Sequence, residues 1–359
     1  MKEARNKIII FIKAHEGHIS AIALIVGFVT DNLTLPRVDS VGSQLVLAGY
    51  LLVAAFFIVM LQLIEAKRVS HRWVVEKSFI FPAAVQFLFG GLISAVFVYY
   101  SRSASILGSW PFMLLLLIML IGNELTRDRY ARLWFQLSVF FFLLFMGVSF
   151  ALPVLVGAIG WVIFVASGLI SLLIMFAFVP TLFLVVPITK DKFNIGGLII
   201  GIFFLINGFY FLHFIPPIPL SLRSTVVAHN IVREEGGYRV LREVGSLRVF
   251  WRPLVIHVAP DTSLFFFSAI FAPTKLDTEI IHVWEFYNPR TRTWEERGVI
   301  SFPIQGGREE GYRGYSEKTN LEAGKWRVSV RTGDGAFLGR TPFTVEITDI
   351  MPATEEVLL

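Results

Sequence analysis

The sequence predicts an α-helical membrane bundle of about seven transmembrane helices, followed by an all-β, immunoglobulin-like antiparallel sandwich. Three observations predict it. Of the 359 residues, 55% are hydrophobic and only 16% charged, with a mean hydropathy of +0.67, which is outside the range of ordinary soluble domains. Up to about residue 220 the apolar residues fall in long unbroken runs, whereas from Arg223 onward they alternate with polar residues at period two. The charge divides at the same place: residues 1–220 hold 15 Lys+Arg and 9 Asp+Glu, leaving 17 and 18 for the rest.

A spanning helix needs about 20 predominantly apolar residues. Windows of that kind lie at about 17–35, 42–64, 79–100, 104–122, 133–152, 161–186 and 195–215. The apolar run of the first is the shortest, from Ile19 to Val29. Between Leu133 and Ile188 no charge interrupts the chain, so Pro153, Gly157 and Gly160 are the expected turn between two helices. Lys and Arg are strongly unequal in alternate loops. One set holds thirteen (Lys2, Arg5, Lys7, Lys13, Lys67, Arg68, Arg72, Lys77, Arg127, Arg129, Arg132, Lys190 and Lys192), and the other only Arg37 and Arg102. Positive residues are retained on the cytoplasmic side. This places residues 1–16 in the cytoplasm, 17–215 in the membrane, and the β domain outside. The apolar run Ile8–Ile12 is too short for a signal peptide and no small-residue cleavage site follows it. Membrane lipid is the expected partner of the helical half, and small residues four apart (Gly90 with Ser94, Gly197 with Gly201) allow close helix approach within one chain or in a homo-oligomer.

Intramembrane ionisable residues mark transport and catalysis, and these windows are nearly free of them. Asp31, Asn207 and His213 are the candidate intramembrane polar residues, with an outer-surface charge cluster as the plainer reading of Asp31. Asn123-Glu124 is expected as a solvated helix cap.

Three prolines in Pro216-Pro217-Ile218-Pro219 make residues 216–222 a stiff linker. Strands are expected near 224–232, 247–258, 263–272, 278–287, 297–304, 325–331 and 337–348 within a domain at 223–350, with 351–359 as a loose tail. On the strand 278–287, Ile280, His282, Trp284 and Phe286 share a face, and Trp284 is expected in the core. His229, His257 and His282 fall on separate strands without metal-ligand spacing. No nucleophile elbow, zinc-protease pair or phosphate loop is present, so no catalytic residue or cofactor is expected. The outer half has no basic excess, which argues against nucleic acid. The segment Gly306–Ser316 alternates Arg and Tyr among four glycines. Arg308, Tyr312, Arg313 and Tyr315 are therefore the candidate partner-binding loop, set against a structural turn packed on the sandwich.

Several of these residues, namely Pro216–Leu222, the Trp284 strand, Tyr312-Arg313-Gly314-Tyr315-Ser316, Gly324-Lys325-Trp326-Arg327-Val328 and Gly339-Arg340, resemble bacterial polytopic membrane proteins ending in the domain of unknown function 2914. Asp31–Asp39 and Asn123-Glu124 carry the same resemblance into the membrane half. It implies a bacterial inner membrane and no known activity. The function expected is presentation of an extracytoplasmic sandwich that binds a protein partner or a cell-envelope glycan. The alternative is a transporter or lipid-handling protein with an accessory outer domain.

Overall fold

The computed structural model describes residues 29, 40–69, 71, 74, 78, 80–103, 106–125, 132–185, 192–216, 220–234, 237–244, 254–272, 277–305, 312–350 and 352–359. The chain divides into two units, a helical one that ends at Ile215 and a β one that runs from Pro216 and also takes in Ser103–Ser109 and Val156–Gly160. Among the described residues there are six helices rather than seven: α1 (Val41–Glu65), α2 (Ile80–Ser103), α3 (Ile106–Leu125), α4 (Leu133–Val156), α5 (Trp161–Val185) and α6 (Lys192–Phe211). Helices α1, α2, α4 and α5 are long and apolar enough to cross a membrane; α3 and α6 are apolar but shorter over the stretch that qualifies. The expected first window, 17–35, with Asp31, lies outside the described residues.

Ser40 caps α1, its Oγ accepting from the Ser43 amide. Helix α4 is the innermost, since every residue from Phe140 to Met146 is buried whichever way it faces. The expected break at Pro153 is displaced: α4 runs through Pro153 to Val156, and the chain turns at Gly157 (φ 74°) and Gly160 (φ 118°). A proline costs one helix bond, whereas a left-handed glycine reverses the chain. Asn123 is not a solvated cap either. It is buried inside α3, its Nδ2 donating to the Gln86 carbonyl at 3.3 Å, while Gln86 Nε2 on α2 donates to the Asn123 carbonyl at 2.9 Å. Gly90 leaves the space, because a Cβ there would meet Asn123 Nδ2 at 2.9 Å.

The β unit has eleven described strands: β1 (Ser221–Ala228), β2 (Asn230–Glu234), β3 (Gly237–Glu243), β4 (Val255–Val258), β5 (Leu264–Phe271), β6 (Asp277–Asn288), β7 (Thr293–Gln305), β8 (Tyr312–Lys318), β9 (Gly324–Thr332), β10 (Phe337–Ile347) and β11 (Thr354–Leu358). They form sheets ordered β1-β5-β8, β4-β10-β9-β6-β7 and β11-β3-β2. All pairs are antiparallel except β4 with β10, which are parallel, so the sandwich is not wholly antiparallel as expected. The first two sheets enclose a core containing Phe266, Ile280, Trp284, Trp326, Val328 and Phe343. The two tryptophans are fully buried; at about 25 cal/mol per Å2, each contributes roughly 4–6 kcal/mol of transfer free energy. The period-two expectation for β6 therefore has its physical basis in Ile280, Trp284 and Phe286 facing this core.

The third sheet adds a layer that the strand pattern did not suggest. Its Ile231 and Val240 pack with Ala228, Phe267 and Ala269 from the back of the β1-β5-β8 sheet. The expected 224–232 strand is two strands, with His229 between them. The segment expected as a loose tail at 351–359 contains β11, paired with β3 from Thr354↔Glu243 to Leu358↔Arg239. The linker expected at 216–222 already carries the start of β1 at Ser221 and Leu222.

Candidate functional site

Tyr312, Arg313 and Tyr315 do not lie on a loop. They belong to β8, which pairs with β5 through Ile270↔Tyr312, Ala269↔Arg313 and Phe267↔Tyr315; Arg308 lies outside the described residues. The glycine of this segment serves packing rather than a turn, since a Cβ on Gly314 would lie 2.4 Å from the Phe302 ring. Tyr312 packs against the main core. Arg313 donates from Nη1 to the Leu359 carbonyl at 3.0 Å, and its own carbonyl accepts from Tyr238 Oη at 3.3 Å. The Tyr315 ring meets Tyr238 and Phe265, each with centroids 6.0 Å apart. The segment thus holds the third layer to the sandwich, and only Tyr315, 39% exposed, presents much surface.

The other sequence candidates also separate. Asn207 is buried in α6, its Nδ2 bonded to the Phe203 carbonyl one turn back at 2.8 Å. His213 is exposed in a turn beyond α6, with φ 60°. Neither lines the apolar cavity of about 660 Å3 among α1, α4 and α5, nor that of about 510 Å3 between α5 and α6. Two of the histidines do converge: His229 Nε2 lies 3.1 Å and His257 Nδ1 3.0 Å from the two carboxylate oxygens of buried Glu243. Among the described residues, no group of three His, Cys, Asp or Glu is arranged to hold a metal.

His282 lies between two hydroxyls, 2.8 Å from Ser268 Oγ and 2.9 Å from Ser316 Oγ, and Ser316 also accepts from Trp284 Nε1 at 3.0 Å. Burial pushes its pKa down to about 3, because the charged imidazolium is the form that desolvation penalises. A Ser-His pair suggests nucleophilic catalysis by composition alone. With Ser268, His282 and Ser316 all buried, this one satisfies core polar groups.

The outer face of the β4-β10-β9-β6-β7 sheet is different. Alternation points Trp326, Val328 and Val330 of β9 into the core and Lys325, Arg327, Ser329 and Arg331 outward. Glu285 of β6 stands opposite Arg327, and Arg340 of β10 opposite Ser329. Arg327 grips Glu285 with two bonds, Nε at 2.9 Å and Nη2 at 2.6 Å, while Ser329 Oγ donates to Glu285 Oε2 at 2.8 Å and accepts from Arg340 Nε at 3.1 Å. Burial alone would raise the Glu285 carboxyl. Hydrogen bonds from Arg327 and Ser329, with the charges of Arg327 and Arg340, outweigh that and hold it below the usual range. The Arg327 guanidinium also lies 4.1 Å from the Trp294 ring centroid, and Tyr287 packs on Trp294 at 5.3 Å. Rings and guanidinium groups thus alternate across the outer face of this sheet, an arrangement suited to recognition. This set was hard to find in advance, since β6, β7, β9 and β10 each supply part of it. The one local signal was the Lys325-x-Arg327-x-Ser329-x-Arg331 alternation.

Residues 277–345, which include this whole network, match the model of a family described as a protein of unknown function, DUF2914. This match lies wholly within the β unit. It begins at β6 and ends within β10, so it holds the Glu285 network but neither β1 to β5 nor the third layer's strands. No curated protein matches the chain. Among solved structures, an immunoglobulin-like protein from Pseudomonas aeruginosa matches at 12% identity over 35% of this chain and 96% of that one, with a TM-score of 0.19. A β-glucosidase from Kluyveromyces marxianus matches at 14% identity over 34% of this chain and 15% of that one, with a TM-score of 0.19. An alkylpurine DNA glycosylase from Pseudomonas fluorescens matches at 10% identity over 87% of this chain and 99% of that one, with a TM-score of 0.22. Likenesses this weak carry no argument about this chain.

Proposed function

We propose that this is a polytopic protein of a bacterial inner membrane that presents its β domain outside the membrane as a non-enzymatic binding module for a protein partner or a cell-envelope glycan. One observation carries the reading: the outer face of the five-stranded sheet, where the partly exposed Trp294, Tyr287 and Arg327 stack together. The orientation is supported by the loop charges. Lys190 and Lys192 belong to the basic set, and α6 then carries the chain to the opposite side.

The absence of cysteine makes single-cysteine labelling clean. A cysteine at Val299, half exposed on this face, is expected to react with a membrane-impermeant maleimide in intact cells. Reaction only after permeabilisation refutes the orientation. A photo-crosslinking residue at Val299 is expected to form adducts that disappear on Trp294→Ala; adducts indifferent to Trp294 remove the face from the reading.

The apolar cavities of the helical unit favour lipid handling as a second reading. Tightly retained lipid in native mass spectrometry, lost when Ala48→Leu fills the wall of the cavity among α1, α4 and α5, is its expected signature, and unchanged retention counts against it.

A further inference from the structure

The Glu285 network is unevenly charged. Arg327 and Arg340 act on one bonded carboxylate, Glu285, and a third guanidinium, Arg331, stands opposite Ile281 farther along the same face and acts on Arg340. Arg331 and Arg327 flank Ser329 along β9, and Arg340 stands opposite Ser329 on β10, so Arg340 and Arg331 occupy a diagonal pair of positions roughly 7–8 Å apart at the backbone. Only Arg327 has a carboxylate partner. Among the described residues, none lies within ion-pair distance of Arg331 or Arg340. Arg340 is held in place by its Nε bond to Ser329 and by the Phe337 ring, 5.2 Å from its guanidinium carbon. Its terminal nitrogens carry no bond to the described residues. Burial, then repulsion from Arg327, disfavour the charged form of Arg340, with Glu285 opposing and Arg331 adding to the repulsion. A partly buried guanidinium held in place with unused donors, and a second one across the diagonal, is what a planar or tetrahedral oxyanion fits.

The other carboxylates of the face narrow the ligand. Glu279 of β6 lies diagonal to Arg331, exposed Glu296 lies beside Glu285 across β7, and Glu346 sits at 3.7 Å from His257 Nε2. Negative groups interspersed this way repel a continuous anionic surface such as a membrane, yet leave room for one discrete oxyanion. Along the same strip, four residues or about 13 Å from Ser329, Lys325 faces the Tyr287 ring and Trp294 stacks on Arg327.

We propose that this face binds an acidic polysaccharide, with the oxyanion of one sugar between Arg331 and Arg340 and neighbouring sugar rings along β9 toward Tyr287 and Trp294. The proposal rests on the binding-module reading and names the ligand class for that face.

The test uses the full chain in phosphatidylcholine nanodiscs, with hexagalacturonate and its fully methyl-esterified form as probes and calorimetry as the readout. Hexagalacturonate is expected to bind, and the ester to bind about tenfold more weakly or worse, because charge-assisted bonds are lost. Arg331→Ala, which removes no bond within the protein, is expected to weaken hexagalacturonate binding about tenfold and leave the ester unchanged, and Arg331→Lys to restore part of the loss. Trp294→Ala is expected to weaken both probes by a similar factor. Equal binding of the two probes, indifference to Arg331→Ala, or failure to bind either probe overturns the proposal. So does Arg331-dependent capture of phosphatidylglycerol vesicles without glycan binding, which assigns the pair to a lipid headgroup. If both probes bind and both are lost on Trp294→Ala while Arg331→Ala has no effect, the acidic-sugar site fails and the binding module stands. Crosslinks from Val299 that do not form, or that form regardless of Trp294→Ala, fail the module itself.

Discussion

His282 offers a quantitative test of how the sandwich is held together. Its two ring nitrogens bond Ser268 and Ser316 in a fully buried site, and burial lowers its pKa from 6.5 to about 3. The unfolded chain therefore binds a proton between those values that the folded chain refuses. The stabilisation from keeping this imidazole neutral is present in full above pH 6.5 and is lost progressively as pH falls toward 3. Each pH unit in that window is worth about 1.4 kcal/mol, so lowering the pH from 6.5 to 5 removes about 2 kcal/mol. The assay is urea unfolding of the purified protein in detergent, followed by far-ultraviolet β signal, at pH 6.5 and pH 5. His282→Gln replaces the titrating ring with an amide. At neutral pH it is expected to cost about 1–3 kcal/mol for imperfectly remade bonds, and to flatten the pH dependence over this interval. The Glu285 carboxylate does not confound the window, because its contribution is lost only as pH falls below about 4.5. An equal loss between pH 6.5 and 5 in wild type and His282→Gln refutes the assignment.

Gly314→Ala places a methyl within 2.4 Å of the Phe302 ring and is expected to lower the unfolding free energy by about 1–3 kcal/mol; a thermal melt at the wild-type midpoint contradicts the close-packing account. Glu285→Gln leaves Arg327 beside Arg340 without a carboxylate and is expected to destabilise the β domain by about 3 kcal/mol at pH 7, with the difference from wild type shrinking as pH falls below about 4.5. Chemical denaturation across that range checks both parts. Asn123→Ala removes the Nδ2 bond to the Gln86 carbonyl while the bond from Gln86 Nε2 to the main-chain carbonyl at 123 survives, and is expected to cost about 0.6 kcal/mol; a steric-trap unfolding measurement in bicelles that shows no change contradicts it.

The linear chain by itself determined where helices give way to strands. An unbroken apolar window and a period-two alternation are local properties, which is why all six described helices and the inward face of β6, with Trp284, can be located without any partner. Helix ends were less legible at Pro153, where a proline's cost is smaller than that of breaking an apolar helix already well packed. Tertiary structure decided which segments became strands when their own pattern was weak. Tyr312–Lys318 reads as an Arg/Tyr loop and is β8 because Phe265 to Ile270 offer it a free edge. Thr354–Leu358 reads as a tail and is β11 because β3 pairs with it. The Glu285 network shows the same limit from the side of function. Lys325, Arg327 and Arg331 are visible as an alternating strip on β9, but Glu285 is about 40 residues earlier, and Arg340 reaches them across a hairpin. Only strand register brings those charges onto one face, because pairing between distant segments depends on both strands and is written in neither alone.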